Sequence, residues 1–261
     1  MKLRYFSFIF CIICSTTFGD IETNTLPEPH TGKLFVGVTY TYALQKRDIF
    51  KKLDGWKTKW HTNTTAEVIY RGSYWAVNTQ LGRVYVTATH LFGNNLEVKQ
   101  IDGHVVDNNR CKIIGCKIRA YLGTLGYEVD RIGHIEGLED IVFILPERHQ
   151  ISEDIPVLKL AVNIPRINEE VRAVGYTGTP HQQITKCDVT SVHETQAYMI
   201  LNKPVDSGFS GGPVLNTSGH VYGVISNTDK GEKQTTVIRL SENNLSQIIW
   251  HPLSYYEDLS K

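Results

Sequence analysis

Ser210 sits in the run Asp206-Ser207-Gly208-Phe209-Ser210-Gly211-Gly212-Pro213-Val214. A hydroxyl flanked by glycines after a polar turn has what acyl chemistry asks of a nucleophile. Glycine admits backbone conformations that a side chain hinders, so neighbouring N–H groups can converge on a developing oxyanion. Gly208 and Ser210 supply the natural pair of N–H groups. A hydroxyl is a poor nucleophile at neutral pH and needs an adjacent base. His90 closes the run Val86-Thr87-Ala88-Thr89-His90, where a strand end would present it to a cleft, and Leu91-Phe92 follow to pack beneath it. The base needs a carboxylate to orient it and to stabilise its charged form. Asp140 stands immediately before the apolar run 141–145, whereas Asp130 and Asp154 enter no comparable strand. Taken singly, each residue has a plainer reading: a glycine-rich loop, a structural histidine, a strand-leading turn. Taken in order, the three make a constellation for nucleophilic acyl transfer.

Such groups need a rigid frame, and the chain offers one in β vocabulary. Short runs rich in Val, Ile, Tyr, Thr and Phe recur at 34–42, 66–70, 74–78, 84–87, 96–101 and 141–145. They resume at 171–176, 198–201, 213–215, 220–226 and 235–240. Their spacing and partial alternation predict an all-β sandwich or barrel. Asn216-Thr217-Ser218-Gly219 reads as a hairpin loop, and Asp54-Gly55 and Asp102-Gly103 as further turns. One helix is predicted over about 241–250, capped by Ser241, with Leu245, Ile248 and Ile249 at helical steps and Pro252 ending it. A new strand series begins near residue 151. Two packed barrels would account for it, and so would one large sandwich.

The 261 residues carry 27 basic and 27 acidic side chains, so no general attraction to nucleic acid is on offer. Lys2 and Arg4 precede a short apolar stretch ending at Cys14, and small residues at Thr17 and Gly19 suit cleavage before Asp20. Residues 1–19 are thus read as a signal peptide and 20–33 as an N-terminal arm; an uncleaved signal anchor is the alternative. The apolar stretch is shorter than the ~20 residues of a membrane span, and no later stretch resembles one. The mature chain is expected to be exported, without a stable membrane span. Cys111, Cys116 and Cys187 remain after cleavage, an odd count. Cys111 and Cys116 flank a possible hairpin tip at Ile114-Gly115 and could bridge; three separate thiols are the other reading. Metal-ligand spacing is missing, and the chemistry needs neither metal nor cofactor. Asn63, Asn216 and Asn244 begin glycosylation sequons.

The order His90, Asp140, Ser210, in the contexts Thr87-Ala88-Thr89-His90, Asp140-Ile141-Val142-Phe143-Ile144-Leu145 and Gly208-Phe209-Ser210-Gly211-Gly212-Pro213-Val214, resembles the chymotrypsin/trypsin-like serine protease superfamily. It is closer in style to the bacterial glutamyl-endopeptidase, HtrA-like and viral branches than to digestive trypsins. The resemblance spans roughly residues 34 to 250. It implies two packed six-stranded antiparallel β-barrels with a C-terminal helix, the first over about 34–150 and the second over about 151–240. It implies an endopeptidase with Ser210 as nucleophile, His90 as base, Asp140 as orienter and the Gly208 and Ser210 N–H groups as oxyanion hole. It further implies a protein or peptide substrate paired to the run Gly223-Val224-Ile225-Ser226-Asn227-Thr228, with Pro204, Ser226 and Thr228 contributing to substrate binding, Ser226 near the triad and Thr228 near the specificity pocket.

Two positions depart from that pattern. Phe209 stands where many secreted members carry the aspartate that pairs with a newly cleaved N-terminus, so activation by that route is not expected. Pro204 stands where trypsin-like members keep an aspartate for Lys or Arg, so a small or apolar residue before the scissile bond is expected. A non-catalytic binding protein on the same fold is the competing reading. An esterase of another fold would use a nucleophile between strand and helix with its histidine last in order; here the histidine comes first.

Overall fold

The computed structural model describes residues 31–47, 58–92, 100–101, 104–105, 111–123, 127–129, 131–146, 155–177, 179 and 181–254. The leader at 1–19, most of the arm and the turns at Asp54-Gly55 and Asp102-Gly103 lie outside them. In chain order the first half forms β1 (Gly32–Arg47), β2 (Thr58–Thr79), β3 (Gly82–Thr87), a 3-10 turn (Thr89–Phe92), β4 (Gln100–Ile101), β5 (His104–Val105), β6 (Cys111–Leu122), β7 (Tyr127–Glu128), β8 (Arg131–His134) and β9 (Val142–Leu145). The second half forms β10 (Glu170–Gly175), β11 (Gln183–His193), β12 (Tyr198–Leu201), β13 (Pro213–Leu215), β14 (Val221–Asp229), β15 (Gln234–Arg239), α1 (Glu242–Leu245) and β16 (Ile249–Pro252).

The chain is all-β in two units. β10 to β15 form a closed barrel in the order β10-β11-β12-β15-β14-β13. The first unit is an eight-stranded sheet, β16-β8-β9-β3-β2-β1-β6-β7. β7 and β8 are joined by two residues yet stand near opposite ends of that order, so the sheet must curl round on itself. Among the described residues it curls without the hydrogen-bonded closure of the six-stranded barrel expected for this half. β1 shows why its residues choose a strand. Leu34, Val36, Val38, Tyr40 and Tyr42 are buried at a period of two, while the residues between them are half-exposed.

Three clusters hold the molecule. One fills the curl of the first sheet, with Val36, Val38, Tyr40, Tyr85, Phe92 and Ile132. Another fills the closed barrel, with Val171, Val189, Met199, Leu201, Phe209 and Val237. The third lies between them: Trp75, Val86 and Phe143 from the first sheet meet Val174, Leu215 and Val224 from the barrel. The connecting segment crosses the same seam, bridging Ala76 to Val157 and Leu160 to Val221.

Several expectations need correction. The helix predicted over about 241–250 is the single turn α1. Ile249 and Trp250 instead enter β16, which pairs antiparallel with β8 from Ile249↔His134 to Pro252↔Arg131. β-Branched and aromatic residues beside an unpaired strand edge favour that pairing over a second helical turn. Ile114-Gly115 is no hairpin tip. β6 runs through it, and the register shifts from Thr41↔Gly115 to Tyr42↔Ile113, leaving Ile114 as an extra residue. Cys111 and Cys116 lie in this one strand and share no disulfide. Burial pushes the Cys187 thiol up to about 12. The runs read separately at 66–70 and 74–78 are one strand, β2. The arm ends earlier than expected, because β1 begins at Gly32. The hairpin at Asn216 has the turn chemistry its residues call for: Asn216 Oδ1 accepts from Ser218 N at 3.0 Å and His220 N at 2.9 Å, and Gly219 adopts φ +80°. No helix among the described residues is long and apolar enough to cross a membrane.

Candidate active site

Strand register brings His90 and Asp140 together. β3 and β9 pair antiparallel with Thr87 opposite Val142. Continuing that ladder sets the residues after β3 against those before β9. Thr89 N reaches Asp140 O at 3.5 Å, and His90 N donates to Asp140 Oδ1 at 2.8 Å. The buried Leu91 and Phe92 anchor the turn that carries His90. Asp140 has φ +57°, a left-handed conformation that Asp tolerates better than most residues and that turns its side chain back toward His90.

The carboxylate is almost enclosed, with 12% of its side chain exposed against 23% for His90. The imidazole Nδ1 lies 3.1 Å from Oδ1 and 3.0 Å from Oδ2. The Ser226 hydroxyl donates to Oδ2 as a third partner. Burial alone would push the acid's pKa up. Hydrogen bonding to the His90 ring, that ring's charge, the Ser226 hydroxyl and the His90 N–H outweigh it and hold the carboxyl below its usual range. An ionised carboxylate accepts only, so Nδ1 carries the proton and Nε2 is left as the base.

Ser226 reaches this position through an irregularity. The β14–β15 register shifts between Ile225 and Asn227, so Ser226 is the extra residue of a bulge, and Ile225 and Ser226 are both buried. A bulge re-aims one side chain, and here it delivers a hydroxyl to Asp140. The Ser226 side chain is committed to the carboxylate.

The Ser210 loop is held from three sides. Phe209 is buried in the barrel core, packed so closely on Gly175 that a Cβ there would lie 2.8 Å from the ring. Gly211 N donates to Ile225 O at 2.8 Å, and Ile225 N to Gly212 O at 2.9 Å. From the opposite unit, Ser73 N donates to Ser210 O at 2.8 Å and Ser73 Oγ to Gly208 O at 2.8 Å. Ser73 Oγ also accepts from Tyr176 N at 3.1 Å, and Thr87 Oγ1 donates to Ser73 O at 2.7 Å. Two glycines are obligatory. Gly208 has φ +106° and a Cβ there would stand 2.1 Å from Tyr176 O; Gly211 has φ +85° and a Cβ there would stand 2.1 Å from Thr87 Oγ1. The N–H groups of Gly208 and Ser210 donate to no acceptor among the described residues.

Ser210 comes beside the turn that carries His90. A Cβ on Gly72 would meet Leu91 Cδ1 at 2.3 Å and Ser210 O at 2.8 Å, so one backbone separates the two segments. Ser210 Oγ makes no hydrogen bond to the imidazole among the described residues. Such bonds are often long in an unliganded site and tighten in the complex.

The remaining candidates converge on a residue that sequence reading missed. Thr235 Oγ1 donates to Lys203 O at 2.8 Å and accepts from Val205 N at 3.1 Å, gripping the chain on either side of the exposed Pro204. Thr228, opposite Thr235 in register, brings its Oγ1 within 3.5 Å. Ser73 was missed too. A serine inside a strand carries no signal of its own, and only the contact between the two units gives it one. A cavity of about 520 Å³ between the β2–β3 turn, residues 157–160 and α1 touches none of these groups.

An ordered His–Asp pair beside a glycine-framed serine, on an all-β frame of two packed units, defines a serine protease. A family model for the trypsin-like peptidase domain matches residues 72–224, more than half of the 261-residue chain, and the chain belongs to that family. No curated protein matches it in sequence. Among solved structures, the inactive and active forms of the Rv3671c protease from M. tuberculosis align at 15% and 14% identity, both with TM-score 0.47. They cover 84% and 81% of this chain and 88% and 79% of theirs. A serine endoprotease from Yersinia pestis aligns at 15% identity and TM-score 0.43, over 78% of this chain and 58% of its own.

Proposed function

We propose that this serine protease is an exported endopeptidase that works through an acyl-enzyme, with Ser210 as nucleophile. His90 Nε2 takes the Ser210 proton as Oγ attacks the peptide carbonyl. The Gly208 and Ser210 N–H groups receive the oxyanion. The C–N bond then breaks, His90 gives its proton to the leaving amine, and water hydrolyses the ester by the reverse proton path. Asp140 fixes the tautomer and offsets the charge His90 gains. The observation that carries this reading is the buried Asp140 carboxylate, bonded at once to the His90 ring, the His90 N–H and the Ser226 hydroxyl.

The loop needs no ion pair to a new N-terminus, because the buried Phe209 ring and the Ser73 bonds hold it. The protease is therefore competent once its leader, residues 1–19, is removed. The substrate's acyl half runs along β14. Pro204, held in place by Thr235, stands where trypsin-like members keep an aspartate, which suits a small apolar residue before the scissile bond and not Lys or Arg.

A fluorophosphonate probe tests the nucleophile without a known substrate. Mature protein should be labelled at Ser210, located by mass spectrometry, and Ser210→Ala should not be labelled. Folded wild-type protein that stays unlabelled across pH 6–9 would favour the non-catalytic binding protein, for which the lack of a hydrogen bond from Ser210 Oγ to His90 among the described residues is the favouring observation.

A further inference from the structure

A second, smaller cavity of about 80 Å³ adjoins the nucleophile loop. Lys33 and Phe35 of β1, Arg71 and Gly72 of β2, Tyr176 and Gly208 bound it, and β14 contributes nothing. That is room for a few waters, and so for a carboxylate group.

Strand geometry puts two cations on its rim. In the β1–β2 ladder Lys33 faces Ser73 and Phe35 faces Arg71. These four side chains share one face of the sheet, because alternate residues point the same way. Ser73 shows where that face looks, since its hydroxyl bonds Gly208 O. Lys33 and Arg71 are diagonal neighbours on it. The Lys33 ammonium stands 5.1 Å from the centre of the Tyr176 ring. Neither Lys33 nor Arg71 has a carboxylate within 4.0 Å among the described residues. Two uncompensated cations beside a pocket of this size attract an anion and repel a third cation.

The position of Gly208 fixes which part of a substrate would reach the cavity. Its N–H marks where the scissile carbonyl oxygen points. With the acyl half of the peptide along β14, the leaving half continues between β1–β2 and Tyr176. We propose that the cavity bounded by Lys33, Arg71 and Tyr176 is a subsite for a carboxylate on the leaving side of the scissile bond. The protease thereby selects peptides that are acidic just beyond the cut. This rests on the reading of Ser210 as nucleophile. The carboxylate has two possible sources, an Asp or Glu side chain or the terminal carboxylate of a short leaving peptide.

Quenched fluorescent peptides with Ala or Val before the cut separate these sources. One arm varies the first two leaving residues among Asp, Asn and Lys; the other compares free-acid with amidated ends. The mature wild-type protein should cleave the carboxylate-bearing member of at least one arm about tenfold better in kcat/KM than its neutral partner. The advantage should shrink as salt rises from 20 to 500 mM. The arm that shows it names the source. Lys33→Glu combined with Arg71→Glu should invert the preference toward Lys. Each preference is a ratio within one protein, so partial loss of folded material cancels. Wild type that is labelled at Ser210 yet cleaves all members within twofold overturns the subsite and leaves the nucleophile standing. Failure to label overturns both.

Discussion

Asp140 concentrates the site's electrostatics in one side chain. Its carboxyl is held below the usual value by the groups around it, so in the folded protein it stays ionised to lower pH than in the unfolded chain. The stability this contributes is present above the unfolded value near 4 and is lost as pH falls through the folded value. Asp140→Asn should therefore flatten the acid limb of a pH–stability curve below about pH 4, read by urea unfolding. The same change removes the acceptor that fixes the His90 tautomer, and kcat should fall by roughly 10⁴-fold with the fold intact. Circular dichroism beside steady-state assays checks both halves. His90 and Asp140 were legible in sequence because each stands at the mouth of an apolar strand, and their meeting needs only the β3–β9 register. Ser226 was legible as a neighbour but not as a donor to Asp140, because a bulge is written in pairing and not in composition.

Elements were legible where apolar residues alternate, as in β1, or run together, as in β3 and β14. They were not legible where polar residues dominate. β11 reads Gln-Ile-Thr-Lys-Cys-Asp-Val-Thr-Ser-Val-His, and only its Cys187 and Val189 are fully buried. β16 looked helical because three- and four-residue steps in a short apolar run fit either period until a partner edge is known. That partner is β8, and the pairing has a pH signature. The His134 and His251 rings stack at 4.9 Å with an interplanar angle of 11°. Burial and the nearby His251 lower the His134 pKa, and Glu136 only partly opposes them. The folded value lies below the unfolded 6.5, so the penalty is absent above pH 6.5 and grows as pH drops past it. The thermal midpoint should fall more between pH 7.5 and 5.5 in the wild type than in His134→Gln. Equal slopes would remove the pair from the account.

Across the whole molecule, one hydroxyl joins the two units at the point where they must agree. Ser73 belongs to the first sheet, while Gly208, Ser210 and Tyr176 belong to the second unit. Ser73→Ala removes the partner of a part-buried carbonyl and a part-buried N–H, a net loss of about 1 kcal/mol per bond. It also frees the Gly208 peptide next to the oxyanion position. kcat should fall by at least tenfold with little change in KM, and Ser73→Thr should restore part of it. A loss carried mainly by KM would mean that Ser73 serves binding and not loop geometry. No pattern in the chain announces this contact, because it exists only once both units have folded and docked.

β16 has a consequence for how the chain is made. The strand that completes one edge of the first sheet is separated from its partner, β8, by the entire second barrel. A ribosome releases β8 long before it releases Trp250, so that edge stays open through most of synthesis. Pairings so distant in sequence form slowly. The first sheet therefore cannot complete that edge from N-terminal sequence alone: the last strand among the described residues is also the latch on the first sheet, and it arrives only after the second barrel has been made.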